Sequence, residues 1–268
     1  MKKIFLTGAG SGIGLETARL LLASGHEVWG TSRTPSKLPA SPRFHPVALD
    51  LSDPGSIEQA WNTVQTEAGF IDVLINNAGS GSFGLLEDIP PGTLQHEFQI
   101  LVHGPARLVQ LALPAMRQRR QGTIINVTSL AALFPLPGLA PYSAAKAALA
   151  SLTRSWRIET AGSGVRILDL QPGDINTGFH HAMPVLYPFP SGMPPRAKQI
   201  YDAMEDSYRH APGPESVARL LLDLVEKSRT SSPRTAGHWI QRFGAPLAAR
   251  ILPNCWIDAA LRWIYRVS

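Results

Sequence analysis

Short apolar runs alternate along this chain with longer stretches in which apolar residues recur every three or four positions. Lys3-Ile4-Phe5-Leu6 leads directly into Thr7-Gly8-Ala9-Gly10-Ser11-Gly12-Ile13-Gly14 and then Leu15-Glu16-Thr17-Ala18-Arg19-Leu20-Leu21-Leu22, which reads as strand, glycine turn, helix. Uniformly apolar runs suit strands buried on both faces of a parallel sheet, and a 3.6-residue period suits helices lying on it. The pattern predicts strands at Lys3–Thr7, Glu27–Thr31, His45–Leu49, Val73–Asn76, Thr123–Val127 and Val165–Leu170, with a short one near His238–Ile240 closing the sheet edge. It predicts helices at Gly12–Ser24, Pro54–Glu67, Thr93–Gln118, Pro141–Thr160 and Pro214–Lys227. Such alternation makes an α/β protein, a doubly wound parallel sheet with helices on both faces. There is no internal repeat and no linker long enough to divide the chain. Residues 1–243 are expected to form the sheet domain, including a substrate loop over 178–212, and residues 244–268 an amphipathic C-terminal extension. In an open sheet of this kind the ligand lies beyond the carboxyl ends of the strands, at the switch point. Gly8, Asp50, Asn76, Ser129 and Pro172 each fall at or just after a predicted strand end, so they converge on one crevice.

Composition narrows this picture. At 268 residues and 44% hydrophobic content the chain can bury one large core. Its 23 prolines gather in connections such as 34–46 and 184–195. The net charge of +5 favours anionic surfaces or acidic substrates, but no dense basic run interleaved with aromatics marks a nucleic-acid site. The single Cys255 excludes an internal disulfide and suits a reducing compartment. Met1-Lys2-Lys3 resembles the start of a secretory signal, but the apolar stretch behind it stops at Thr7-Gly8, too early for one. No run reaches the length of a membrane span, and a cytoplasmic location is expected.

Two clusters carry candidate chemistry. In the glycine turn, Gly8, Gly12 and Gly14 permit a tight bend and let backbone N–H groups approach a pyrophosphate at a helix N-terminus, where the helix dipole favours an anion. In Tyr142-Ser-Ala-Ala-Lys146 a phenol and an ammonium stand one helical turn apart and share a face, with Ser129 shortly before them. A phenol titrates near ~10, so work as a base at neutral pH requires a drop of roughly three units, about 4 kcal/mol. A cation about 4 Å away at an effective dielectric of ~20 supplies about that much. The pair is therefore expected to act as a proton-transfer device, with the Ser129 hydroxyl bonding a reacting oxygen. Taken alone, the same spacing also describes an ordinary surface Tyr and Lys.

Four signals stand in one order: Thr7-Gly8-x-x-x-Gly12-Ile13-Gly14, Asn76-Asn77-Ala78-Gly79, Ser129, and Tyr142-x-x-x-Lys146. A fifth, Pro172-Gly173-Asp174-Ile175-Asn176-Thr177, follows the sixth strand. Together they resemble the short-chain dehydrogenase/reductase family over roughly residues 1–177. The resemblance implies a Rossmann sheet, a nicotinamide cofactor and hydride exchange between a carbonyl and an alcohol. It implies that Tyr142 is the acid/base, that Lys146 lowers its pKa and holds the nicotinamide ribose, and that Ser129 orients the substrate oxygen. It places cofactor contacts at Gly8, Ser11, Gly12, Ile13, Gly14, Asn77, Ala78, Gly79, Pro172, Gly173, Ile175 and Thr177, besides Tyr142 and Lys146, and has Asn76 tie the central strands together. Many relatives carry F-x-V-N-x-x-G in the helix before the fifth strand, where the Asn helps bind a water linking the Lys to solvent. Here the stretch is Phe98-Gln99-Ile100-Leu101-Val102-His103-Gly104, so Leu101 takes the Asn position. The Leu101 backbone carbonyl and His103 are the candidates to replace it, but a His so placed is more often a bystander, and neither is assigned a catalytic role. Relatives are often dimers or tetramers through the two long helices, which implies a homodimer or homotetramer.

An acidic residue about 20 positions beyond the glycine turn usually binds the ribose 2′-OH of NAD. The matching strand ends in Ser32-Arg33, with no carboxylate, and a guanidinium can grip a 2′-phosphate bidentately. NADP(H) is therefore the expected cofactor, with NAD(H) as the alternative, and Asp50-Leu51 resembles the family's adenine-contacting pair. The stretch 179–195 reads as a lid loop, with Phe179, Met183, Leu186, Tyr187 and Phe189 offering apolar contact to a hydrophobic substrate. The adjacent His180 and His181 lack partners at ligand spacing, and no metal is expected. The tail holds Leu247, Ile251, Leu252, Trp256, Ile257, Leu261, Trp263, Ile264 and Tyr265 among Arg250, Arg262 and Arg266, and Pro253 breaks it into two helical pieces. It resembles the ends of hydroxysteroid and retinol dehydrogenase-like members. Either it covers the substrate cleft or a subunit contact, or it lies on a membrane as a peripheral contact. The expected function is NADP(H)-dependent interconversion of a small hydrophobic ketone or aldehyde and its alcohol. A catalytically silent nucleotide-sensing protein on the same fold is the alternative, although such sensors usually lose the Tyr or Lys present here.

Overall fold

The computed structural model describes residues 1–188, 192–227 and 232–267, except the side chain of Lys37. Strand β1 (Lys3–Leu6) leads through the glycine turn into helix α1 (Gly12–Ala23), then β2 (Glu27–Ser32), β3 (Phe44–Ala48), α2 (Pro54–Ala68) and β4 (Val73–Asn76). Next come α3 (Thr93–Phe98), α4 (Gly104–Gln118), β5 (Gly122–Val127), α5 (Ala140–Glu159) and β6 (Val165–Pro172). The chain continues through α6 (Phe179–Ala182), α7 (Pro195–Arg209), α8 (Glu215–Glu226), β7 (Arg234–Ala236), α9 (Ala245–Ile251) and α10 (Asn254–Ile264). All strand pairs are parallel, in the order β3-β2-β1-β4-β5-β6-β7. The order reverses between β1 and β4, and that switch point fixes the crevice.

Successive side chains of a strand point to opposite faces, and each face finds its own helices. Ile4 and Leu6 of β1 join Val28, Ile75, Val127 and Leu170 beneath Ala18 and Leu21 of α1 and Val217, Leu221 and Leu224 of α8. Phe5 points the other way, to Trp29, Leu74 and Ile124 under Ile57, Trp61 and Val64 of α2 and Leu108, Ala112 and Met116 of α4. Every residue of β4 and β5 is buried, as befits central strands covered on both sides. Helix α2 starts where the sequence signals it: the Asp53 carboxylate accepts from the Gly55 N–H at 2.8 Å, and Pro54 takes the first helical position.

Four local differences from the sequence reading have physical causes. The helix expected as continuous over Thr93–Gln118 contains a π turn at Gln99–His103 between α3 and α4. The last strand lies at Arg234–Ala236, pairing with Leu170–Pro172, and His238–Ile240 instead runs into a second π turn, Ile240–Gly244. An edge strand this short, with only Ala236 buried, carries no readable alternation. The expected substrate loop is largely helical: α7 buries Ala197, Ile200, Ala203 and Met204 along one stripe and adds a Lys198–Asp202 pair at 2.7 Å. The lid segment is also stitched down. The Phe83 N–H donates to the Pro184 carbonyl and the Leu186 N–H to that of Phe83, both at 2.9 Å. A third apolar cluster, with Phe83, Leu139, Met183, Met204 and Tyr265, forms the roof over the crevice.

Candidate active site

The crevice is built first by the glycine turn. Gly8 has φ +72°, a left-handed conformation open to glycine at little cost. At Gly14 a side chain is excluded outright, since a Cβ would lie 2.0 Å from the Gly8 carbonyl oxygen and 2.6 Å from the Asn77 amide nitrogen. Thr7 locks this turn to the end of β4. Its hydroxyl accepts from the N–H groups of Asn77 and Ala78, both at 3.0 Å, while the Asn77 side-chain amide donates to the Thr7 carbonyl at 3.0 Å. The N-cap residue of α1, Ser11, makes no side-chain capping bond, so the first N–H groups of that helix are left uncapped by it where Ser11, Gly12, Ile13 and Gly14 line the crevice.

Beneath the crevice floor, Asn76 does tie the central strands. Its amide donates to Asn126 Oδ1 at 2.8 Å, and the Asn126 amide donates to the Thr153 hydroxyl of α5 at 2.8 Å. This chain sets the depth of α5 against β5 and so the height of Tyr142 and Lys146 above the sheet. Lys146 is buried, and its ammonium donates to the Val127 carbonyl at 2.8 Å, 5.7 Å from the centre of the Tyr142 ring. The Ser129 hydroxyl accepts from the Ala131 N–H at 3.0 Å and is hydrogen-bonded with the Tyr142 phenol. Phe179 leans over that phenol with ring centres 5.9 Å apart.

One cavity of about 1350 Å³ gathers every residue predicted for the site. Ser129, Tyr142 and Lys146 line it, with Gly8, Ser11, Gly12, Ile13, Gly14, Arg33, Asp50, Leu51, Asn77, Ala78, Gly79, Pro172, Gly173, Ile175 and Thr177. The glycine cradle, a helix N-terminus and an exposed Arg33 at the rim match the polar end of a dinucleotide. The apolar wall differs from expectation. Of the side chains assigned to it, Phe179 lines the cavity. Met183 is buried in the roof, Leu186 packs on Gly84, and Tyr187 accepts from the Leu85 N–H and donates to Asp88; Phe189 lies outside the described residues. The tail supplies the wall instead, through Leu252, Trp256, Ile257, Leu261, Ile264 and Tyr265.

Burial governs the ionisable groups here. The Tyr142 phenol is pushed up to about 12, chiefly by loss of water, against the opposing bond from Ser129. The shift runs opposite to the expected lowering, and the Lys146 ammonium is not among its causes. Lys146 is itself brought down to about 8 by burial, against the attraction of Asp169. Sequence reasoning missed three carboxyls that bear on this pair, Glu97 and Asp174 on Tyr142 and Asp169 on Lys146. Glu97 on α3 is 1% exposed; burial raises its pKa, and its charge raises that of Tyr142. Asp169 accepts from the Thr128 hydroxyl at 2.5 Å and the Gln171 amide at 2.7 Å. A third, Asp174, is the hub of the tail contact, accepting from Ser207 of α7 at 2.6 Å and from Gln241 at 2.9 Å. No spacing rule reveals these three, because the groups they act on come from other segments, even though Asp169 also bonds Gln171 two residues on. Leu101, at the usual Asn position, is fully buried beside Gly79, whereas His103 is exposed. His180 is buried with neither ring nitrogen hydrogen-bonded, and its pKa is brought down to about 4.

Comparison with known proteins agrees with this geometry. The family model described as short chain dehydrogenase matches residues 2–184, and the chain belongs to the short-chain dehydrogenase/reductase family of oxidoreductases acting on CH–OH groups. A 3-ketodihydrosphingosine reductase of Bacteroides thetaiotaomicron is 36% identical over 176 residues, 66% of this chain and 65% of that relative, just under two thirds of its length. Among solved structures, a short-chain dehydrogenase from Streptomyces avermitilis superposes with a TM-score of 0.83 at 27% identity, covering 97% of both chains. A family member from Burkholderia phymatum in complex with NAD gives a TM-score of 0.79 at 25% identity, covering 97% of this chain and 95% of the other.

Proposed function

We propose that this protein is an NADP(H)-dependent oxidoreductase that interconverts a small hydrophobic ketone or aldehyde and its alcohol, with Tyr142 as acid/base. The observation that carries this reading is the meeting of Ser129, Tyr142 and Lys146 with the glycine turn in a single cavity. A bound nicotinamide cofactor supplies or accepts the hydride. The protein's part is to hold the substrate oxygen between the Ser129 and Tyr142 hydroxyls and to move one proton. In reduction the phenol gives its proton to the substrate oxygen as the carbonyl carbon gains hydride; in oxidation the proton returns to the phenolate. Lys146, with its ammonium on the Val127 carbonyl, supplies positive charge near the phenolate formed in reduction. The apolar wall from Phe179 and the tail supports a hydrophobic substrate, and so does the name of the Bacteroides relative. The NAD found with the Burkholderia relative supports a nicotinamide cofactor. Arg33 at the rim, with no carboxylate ending β2, supports NADP(H) over NAD(H). The family's habit of pairing through α3–α4 and α5 supports a homodimer or homotetramer.

A panel of ketones, aldehydes and alcohols of graded size, each assayed with both cofactors, tests this function. Turnover should favour apolar compounds and NADPH. Arg33→Asp should move the preference to NADH, since a carboxylate repels a 2′-phosphate and binds a 2′-hydroxyl. Undiminished NADPH preference in that variant defeats the cofactor assignment.

A further inference from the structure

The helical run that starts at Trp239 and continues through α9 has two apolar faces. One looks inward, where Ala245, Ala248 and Leu252 line the cavity. The other looks outward: Trp239, Phe243, Leu247 and Ile251 recur every four residues and are 66%, 66%, 58% and 66% exposed. A four-residue period stays on one side of a helix, so these four make a continuous ridge. Helix α10 adds Trp263 at 83% exposure, and Trp256, 67% exposed, stands at the lip of the cavity. Scattered exposed apolar residues need no explanation, but a ridge of this kind marks a surface that meets something else.

Charge indicates what it meets. Residues 239–267 carry Arg242, Arg250, Arg262 and Arg266, all exposed, against the single acid Asp258. None of these arginines is in an ion pair among the described residues. A second copy of this chain docked through the same face would set arginines against arginines, because a two-fold interface brings identical patches together. An anionic bilayer matches both features, with tryptophan and arginine at the interface level and aliphatic side chains below the headgroups. No helix among the described residues is long and apolar enough to cross a membrane, so the contact is one of lying on the surface.

We propose that Trp239–Val267 docks on an anionic lipid surface, with the mouth of the cavity opening against it, so that an apolar substrate passes between bilayer and cleft. The docking stands apart from the function proposed above; the substrate route rests on that function.

Flotation of the full chain through a density gradient tests the docking. The probes are phosphatidylcholine vesicles with and without phosphatidylglycerol. The chain should rise with the anionic vesicles, much less with the neutral ones, and less as salt is raised. The triple variant F243S/L247S/W263S, whose residues do not line the cavity, should stay at the bottom while still reducing a short soluble ketone at the parent rate. The charge variant R250E/R262E should lose flotation as well, which covers the case of a triple variant that folds poorly. The proposal is overturned if the parent chain stays down with anionic vesicles. Unchanged flotation of the charge variant also overturns it, as does a parent dimer that becomes monomeric in the triple variant. If flotation behaves as expected but no ketone is reduced, the function fails and the docking survives.

Discussion

At the residue scale, the same burial acts on Tyr142 and Lys146 in opposite directions and drives both toward their neutral forms. The phenol at about 12 is protonated throughout the neutral range, which suits it to donate in reduction; oxidation needs the phenolate and should accelerate as pH rises. The ammonium, brought down to about 8, is lost as pH rises through that value. Reduction should therefore be level through neutrality and fall with a midpoint near pH 8. Lys146→Arg keeps the charge and should remove that midpoint from the profile of whatever activity it retains. A fall at the same pH in that variant rules out Lys146 as its source. The shared face of Tyr142 and Lys146 was legible in the sequence from their i,i+4 spacing, whereas Ser129 was singled out with them through the resemblance of the ordered motifs. The direction of the phenol's shift was not legible, since it depends on burial by other elements and on the charge of Glu97, which sits on a separate helix, α3.

At the element scale, the depth at which α5 sits is set by a polar chain inside an apolar sheet, Asn76 to Asn126 to Thr153. Asn126 is fully buried, so Asn126→Ala leaves the Asn76 amide only its long 3.4 Å bond to the Pro105 carbonyl and takes the Asn126 donor from the Thr153 hydroxyl. The expected cost is about 1–3 kcal/mol, read as a Tm lower by several degrees, together with lower turnover from a displaced Tyr142. A variant as stable and active as the parent removes this chain from the account. Strands β1, β4 and β5 were readable as short apolar runs, and helices α1, α2 and α5 by apolar residues recurring with a helical period. The π turn at Gln99–His103 was not, because it differs from an α turn by one residue of hydrogen-bond register and leaves the same apolar stripe. Helix α7 had a readable stripe at Ala197, Ile200, Ala203 and Met204, masked by the proline-rich stretch before it.

At the scale of the whole molecule, the sheet delivers one end of the cleft and the C-terminal tail the other. The end lined by the glycine turn follows from strand order, and the sequence marked its residues at strand ends. The end lined by the tail is a tertiary product. Asp174, two residues beyond β6, holds both α7 and Gln241, and so ties the tail to the cavity wall. Sequence composition marked the tail as amphipathic but could not say which face points inward, since both faces of its first helical run are apolar.

The most direct test of the central claim is Tyr142→Phe, which removes one oxygen and leaves the ring against Phe179. The variant should bind NADPH with an unchanged Kd, and its turnover with the best ketone of the panel should fall by about 10²–10⁴-fold, the range for a lost acid/base group. Turnover equal to that of the parent contradicts the role given to the phenol; loss of NADPH binding contradicts the separation of that role from the cofactor cradle.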